Sequence, residues 1–409
     1  MSAKGSGREE AVRDSNTKAD NGYEWRMVLV TSLAISFLAF DRLATGYLGP
    51  FLVHSLALSN TQLGSIYSIQ AVAVALTGFA VGHLSDRSGK RVGLLVPLLL
   101  AAGVCAGFAL FIDGYAMLLG LRLASGIALG GVSPIIQSIV TGQSTPSRLG
   151  RNIGVQTLLM FLISQMAGPL VLPRIAETWG WQAGFFASSL PFILLAAAVA
   201  LLVREIPGTQ SNGQGPAEPE ALSSDARRTV WLCLVISACF MIWLVVHATF
   251  LPVYLVEQRG FTPTGAGNLL GTLGVAGAIG GLILPMVSDR LGRRNVLAGG
   301  LFLSVLVPLV VLLLPGQGIG LRAGLFIGWM AVGALPIYAV MIPGGAVPPS
   351  RIAVTVALIV GTGEIVGGVI APLVAGTLAD AFGMAAPFWS ALGMAVLSFA
   401  LSLLLPSRS

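Results

Sequence analysis

Apolar residues run along this chain in long blocks, and polar residues collect in short breaks between them. A window of about 19 residues resolves twelve apolar segments, at 27–51, 63–84, 92–111, 115–141, 152–173, 182–203, 230–256, 264–288, 295–314, 319–342, 352–379 and 384–405. A helix of about 20 residues crosses the hydrocarbon of a bilayer, so each segment predicts a membrane-spanning helix. One break is long: REIPGTQSNGQGPAEPEALSSDARRT, residues 204–229, is rich in Gly, Pro, Ser and Glu and reads as a flexible linker. The pattern therefore predicts an all-α membrane protein with twelve transmembrane helices. A polar N-terminal tail (1–26), expected to be disordered, leads into a six-helix bundle (27–203), the linker (204–229), a second six-helix bundle (230–405) and a short C-terminus (406–409).

Composition supports the membrane reading. Hydrophobic residues make up 55% of the chain, charged residues only 10%, and mean hydropathy is +0.86, whereas a soluble domain is near a quarter charged. The net charge of +6 does not point to nucleic acid, because the basic residues are scattered singly with no basic stripe. They are, however, one-sided. Arg87, Lys90, Arg91, Arg148, Arg151, Arg204, Arg227, Arg228, Arg290, Arg293, Arg294 and Arg351 fall in breaks on the side of the N-terminus, against Arg174, Arg259 and Arg322 on the other. The positive-inside rule then places both termini in the cytoplasm. The tail has no apolar core of a cleavable signal peptide, so the first span is expected to direct insertion. Cys105, Cys233 and Cys239 lie in apolar runs and read as packing residues.

The two halves resemble each other. GHLSDRSGKR (82–91) recurs as PMVSDRLGRR (285–294), an offset of 203 residues. The same offset lays AGPLVLPRIAETWG (167–180) over IAPLVAGTLADAFG (370–383), with Pro169 on Pro372, Glu177 on Asp380 and Gly180 on Gly383. Two repeats joined by a linker are a transporter architecture.

These residues carry a family resemblance that covers the chain from the first span to the last. GHLSDRSGKR resembles the signature of the major facilitator superfamily between its second and third helices, roughly G-x-x-x-D-R-x-G-R/K-R. The echo at 285–294 departs in having Pro285 for the first Gly. The resemblance implies two six-helix bundles, a central cavity and alternating access by rocking. It also implies a gating role for Asp86, Arg87 and Arg91, and for Asp289 and Arg290 in the repeat, through charged contacts that hold the outward-facing state.

Few ionisable residues fall well inside a segment: Asp41, Arg42, Arg122, Glu364 and His247. A central Asp or Arg costs about 2.5 to 3.5 kcal/mol on insertion scales, so such residues face a cavity, pair, and mark a pathway. None is duplicated by the repeat. Arg122 maps to Leu325 and Glu364 to Phe161, and aligning Pro50 with Pro252 puts Asp41 opposite Trp243 and Arg42 opposite Leu244. Architectural residues repeat; these do not, which assigns them to the cargo. On a helix, neighbours point about 100° apart, so Asp41 shares a face with Thr45, and Arg42 with Gly46 and Gly49, which leave room for a ligand. The Arg fork fits a carboxylate bidentately. Burial favours the neutral form of Asp41 and a neighbouring guanidinium the charged form, so Asp41 is a candidate proton carrier. Tyr67, Gln70, Gln137 and Tyr338 are uncharged candidates for the cavity, with Gln156 and Gln165; His247 reads more readily as a packing residue.

An Asp-Arg pair in the middle of the first helix further resembles the anion:cation symporters of that superfamily. The resemblance implies that Arg42 meets the acid group of the substrate, that Asp41 takes part in proton coupling, and that Arg122 is a second positive site. That subfamily often reads R-x-x-x-G-x-x-E here, whereas RLASGIAL (122–129) has Leu129 at the Glu; Glu364, in GTGEIVGG, is the candidate replacement for proton coupling. The expectation is proton-coupled symport of a small organic anion, a carboxylate, with sodium as the alternative ion. The protein is expected to act as a monomer in a lipid bilayer, a bacterial inner membrane, without nucleic acid. The alternative is a proton-coupled exporter of drugs or metabolites. SQMAGPLVLP (164–173) lacks the first and last glycines of the drug-exporter motif it otherwise resembles. No nucleotide loop, metal-ligand cluster or activated nucleophile is present, so neither enzymatic activity nor a cofactor is expected.

Overall fold

The computed structural model describes residues 6–89, 91–205 and 222–406, with side chains from Gly22 onward and without that of Asp86. Among the described residues the first half runs α1 (Ser6–Tyr47), α2 (Gly49–Leu56), α3 (Asn60–Ser88), α4 (Arg91–Phe108), α5 (Tyr115–Gly130), α6 (Val132–Gln143), α7 (Leu149–Met160), α8 (Gly168–Trp179), α9 (Trp181–Phe186) and α10 (Ser189–Leu202). The second half runs α11 (Ser224–Glu257), α12 (Pro263–Leu291), α13 (Arg293–Leu313), α14 (Ile319–Trp329), α15 (Ile342–Ala346), α16 (Pro349–Gly363), α17 (Ala371–Phe382) and α18 (Ala386–Ser402). Several of these are pieces of one span. A π-helical turn, Phe161–Ala167, joins α7 to α8, and another, Glu364–Ile370, joins α16 to α17. Among the described residues, eleven helical spans are long and apolar enough to cross a membrane, and α18 is a shorter apolar helix.

The predicted segments shift where local chemistry intervenes. The first, expected at 27–51 after a disordered tail, is helical from Ser6; it breaks after Tyr47 and restarts as α2, because Pro50 has no N–H to give and its ring crowds the preceding turn. The seventh, expected from 230, begins at Ser224, where the Ser223 hydroxyl accepts from the Ala226 N–H. Residues 206–221 of the expected linker lie outside the described residues; its first part does not, and Glu205 accepts from the N–H groups of Arg91 and Gly93 at the start of α4.

The repeat is geometric as well as sequential. The π turns Phe161–Ala167 and Glu364–Ile370 occupy the same place in their halves. Gly180 and Gly383 end α8 and α17 with φ of 85° and 89°, a conformation costly for any residue with a Cβ. Between the halves, α3 crosses α17 and α12 crosses α8. Gly64 packs on the Pro372 carbonyl and Gly267 on the Pro169 carbonyl, so closely that a Cβ on either glycine would overlap that oxygen. Each crossing is the repeat image of the other.

The same end of the molecule carries two further links. Asp380 accepts from Asn60 and Thr61 at the start of α3, and Glu177 accepts from the Thr264 N–H at the start of α12. At the opposite end, beyond Gly89 and Gly292, charged side chains bond within their own half: Arg91 donates to the Ser138 carbonyl and Arg293 to the Met341 carbonyl. Arg87, Asp289 and Arg290, expected to gate, are exposed there; the Asp86 side chain lies outside the described residues.

Candidate functional site

The adjacent residues of α1, Asp41 and Arg42, point about 100° apart, and the structure gives each a different partner. Asp41 turns into the first half. Its Oδ2 accepts from Arg122 Nη1 at 3.0 Å, Ser125 Oγ at 3.0 Å and Gln70 Nε2 at 3.1 Å, and its Oδ1 from Ser188 Oγ at 3.3 Å. Arg122 also donates to the Asp41 carbonyl and lies 4.0 Å from the Phe185 ring centroid. This ion pair is closed off, with the Asp41 and Arg122 side chains 4% and 3% exposed. Four donors around one carboxylate offset much of the cost of burying it.

Arg42 turns the other way, into a cavity of about 510 Å³ between the halves. There its Nη2 donates to Glu364 Oε2 at 2.6 Å, across 322 residues of chain. Both side chains are open to the cavity, 30% and 41% exposed. Glu364 is the first residue of its π turn, a widened turn of the kind found at functional sites. Gly368, one turn on, leaves the guanidinium its space; a Cβ there would lie 3.1 Å from Arg42 Nη2. On the other flank Tyr67 lines the cavity, its hydroxyl 3.5 Å from the Ala248 carbonyl.

The pseudo-twofold relation between the halves sorts the lining of this cavity into two unlike sets, here called its lobes. Arg42, Tyr67 and Glu364 line one lobe. Their repeat counterparts Leu244, Leu270 and Phe161 line the other, which Trp329, Leu273 and Val332 extend. Thr157 and Gln165 are polar groups of the second lobe, and His247 also lines the cavity, its Nδ1 2.6 Å from the Trp243 carbonyl oxygen.

Of the residues singled out in the sequence, Arg42, Tyr67, Glu364, Gln165 and His247 line the cavity, the last despite its reading as a packing residue. Arg122 does not join them, because Asp41 holds it; Gln70 is drawn to the same carboxylate. Gln137 donates to Gln156 at 3.0 Å inside the first half. Tyr338 is buried against Phe240 in the second half, ring centroids 5.7 Å apart. Ser125 and Ser188, which complete the Asp41 shell, carry no signal in the sequence, since serines are common in apolar spans. Phe161 and Leu244 do: they are the repeat images of Glu364 and Arg42.

Comparison with known proteins bears on this arrangement. A sequence model of the Major Facilitator Superfamily matches residues 31–358 and 249–409. The chain is 26% identical to a hexuronate transporter of Bacillus subtilis (strain 168), over 66% of this chain and 67% of that one. It is 25% identical to the 4-hydroxybenzoate transporter PcaK of Pseudomonas aeruginosa, over 46% and 41%. In fold it is similar to a bacterial homologue of the human lysosomal transporter Spinster solved in an inward-facing, occupied conformation. The TM-score is 0.79 at 17% identity, covering 95% of this chain and 97% of that one.

Proposed function

The chain belongs to the major facilitator superfamily, and we propose that it carries a small organic anion, a carboxylate, by proton-coupled symport with rocker-switch alternating access. It is a multi-pass membrane transporter, not an enzyme. The observation that carries the proposal is the Arg42–Glu364 pair, which bridges the two halves inside the cavity.

The pair couples the two ions by charge. One guanidinium can satisfy one carboxylate bidentately. With the cavity empty, that carboxylate is Glu364. A cargo carboxylate competes for the same fork, and two ionised carboxylates at one guanidinium leave an uncompensated negative charge in a low-dielectric site. Protonation of Glu364 removes the conflict. Cargo and proton therefore enter together, and the loaded cavity keeps the net charge of the empty one. A second coupling carboxylate, Asp41, is released only when Arg122 moves, so the Asp41–Arg122 pair ties protonation to the packing of the first half. Tyr67 is placed to bond the cargo beside Arg42.

In this reading α18 is the twelfth span, both termini are cytoplasmic and the membrane is a bacterial inner membrane. The contacts between α3 and α17 and between α12 and α8 then close the outer side, and the cavity faces the cytoplasm. The charged loops around Asp86 and Asp289 would engage on the other stroke, when the inner side closes. The relatives that carry hexuronate and 4-hydroxybenzoate support an organic acid as cargo.

The test uses purified protein in liposomes containing a pH-sensitive dye. An inward proton gradient is imposed and poorly permeant carboxylates are added in pools, with protein-free liposomes and Glu364→Gln as controls. Interior acidification that needs both a pool and Glu364 supports the proposal. Proton efflux on addition of lipophilic cations, with no response to any carboxylate, replaces it by the exporter reading.

A further inference from the structure

The charged half of the cavity and the uncharged half are repeat images, and the difference between them is a statement about the cargo. Arg42 is the one Lys or Arg among the cavity-lining residues, and it stands in the first lobe. In the second lobe the corresponding position is Leu244; Leu270 stands for Tyr67 and Phe161 for Glu364. Packing holds this wall in place. Phe161 lies against Gly277, where a Cβ would meet its ring 2.9 Å away, and Trp329 borders the same glycine at 3.5 Å. Trp329 is further fixed against Trp243, ring centroids 5.4 Å apart.

A ligand held by Arg42 must lay the rest of its body somewhere in this space. Along α11 the lining runs from Met241 to Pro252, about 16 Å of helix rise, and Gly363 and Gly367 pack on Met241 beside the ion pair. Phe161, the repeat image of Glu364, and Trp329, packed at the level of Trp243, line the same cavity, so a body extending across it from the carboxylate meets Leu244 and the Phe161–Trp329 wall. A second carboxylate would arrive there with no cation to meet it. A polyhydroxylated body would bring several hydroxyls to a wall whose polar side chains are few, and each unpaired buried polar group counts against binding. An apolar ring instead exchanges water for Leu, Phe and Trp contacts, with offset or edge stacking available.

We infer that the cargo is a monocarboxylate with an apolar, ring-sized body, and that Phe161, Leu244 and Leu270 are its specificity-determining residues. The inference rests on the carboxylate-transport reading above and narrows it: of the acids a cavity of this size could admit, sugar acids and dicarboxylates are the ones it disfavours.

The experiment is isothermal titration calorimetry of the full chain in lipid nanodiscs with four probes: acetate, phenylacetate, glucuronate and succinate. Phenylacetate is expected to bind at least about tenfold more tightly than the other three. Phe161→Gln should remove most of that advantage and leave acetate unchanged, because acetate reaches only Arg42. Leu244→Gln, on another helix, repeats the test should Phe161 prove necessary for packing. If glucuronate or succinate binds as tightly as phenylacetate in a manner that requires Arg42, the inference is overturned and the transport of carboxylates stands. If no carboxylate binds, both fall.

Discussion

Asp380 accepts from the Thr61 backbone N–H at 2.8 Å and from the Thr61 hydroxyl at 2.6 Å, joining the C-terminal turn of α17 to the first turn of α3 across 319 residues of chain. It takes the Asn60 N–H and amide as well. The first turn of a helix has unpaired N–H groups and the positive end of the macrodipole, so a carboxylate is stabilised there. Glu177 makes the matching link to α12 through Thr264. Asp380→Ala is expected to weaken closure at this end by about 1 kcal/mol, a value kept small by the exposure of the carboxylate. That corresponds to about a five-fold shift of population toward the state open on this side. Spin-label distances between the two halves at this end would show the shift, and Glu177→Ala should move them in the same direction.

The glycine crossings make a stronger prediction. A Cβ at Gly64 or Gly267 overlaps the carbonyl oxygen of Pro372 or Pro169, and backbone cannot yield as a flexible side chain can. Gly64→Val leaves untouched the apolar cluster within the first half built on Met27, Leu95, Ile135 and Phe192, so it should fold yet fail to reach the closed arrangement seen here. Transport should be lost while the spin-label distance across this end lengthens. Normal transport by this variant would show that the tight crossing is dispensable.

How much of this was legible beforehand follows from what a linear pattern encodes. Runs of about 20 apolar residues declare a span whatever surrounds them, and the 203-residue repeat pairs Gly180 with Gly383 and Phe161 with Glu364 without any structure. Orientation about each helix axis is another matter. Nothing in the hydropathy around Arg122 says that it turns to Asp41, 81 residues earlier, and not to the cavity. Gln137 and Gln156, and Tyr338 and Phe240, find each other for the same reason: polar atoms and rings in a dry interior take the nearest partner, and only the packing says which that is. The π turn at Phe161–Ala167 is also silent in sequence, since FLISQMA is no less apolar than its flanks.

The closed Asp41–Arg122 pair predicts non-additive stability. Removing one partner strands the other charge at 3–4% side-chain exposure. A stranded buried charge costs about 3–5 kcal/mol. Asp41→Leu and Arg122→Met should each lower the thermal unfolding temperature of the solubilised protein sharply. The double variant should lose less than the sum of the two, because no charge remains unpaired. Additive losses would mean that the pair does not interact as drawn. Transport should fail in all three variants, so stability and not activity is the quantity to read.

Arg42 and Glu364 give the pH dependence its sign. Cargo and Glu364 compete for one guanidinium, and a proton on Glu364 withdraws the competitor. Affinity for a carboxylate should therefore rise as pH falls, by at most about tenfold per pH unit for one coupled proton, and level off once Glu364 is fully protonated. Glu364→Gln mimics the protonated form: binding should stay at the acidic-limit value as pH rises, and uphill uptake driven by a proton gradient should disappear while downhill exchange persists. Arg42→Lys keeps the charge but loses the planar fork, so it should bind about tenfold more weakly with the same pH slope. Arg42→Ala should abolish both binding and slope. The decisive comparison is the slope, measured by calorimetry across pH on the wild type and Glu364→Gln. If the two slopes are equal, the coupling proton sits elsewhere, and Asp41, the carboxylate closed off with Arg122, becomes the group to test.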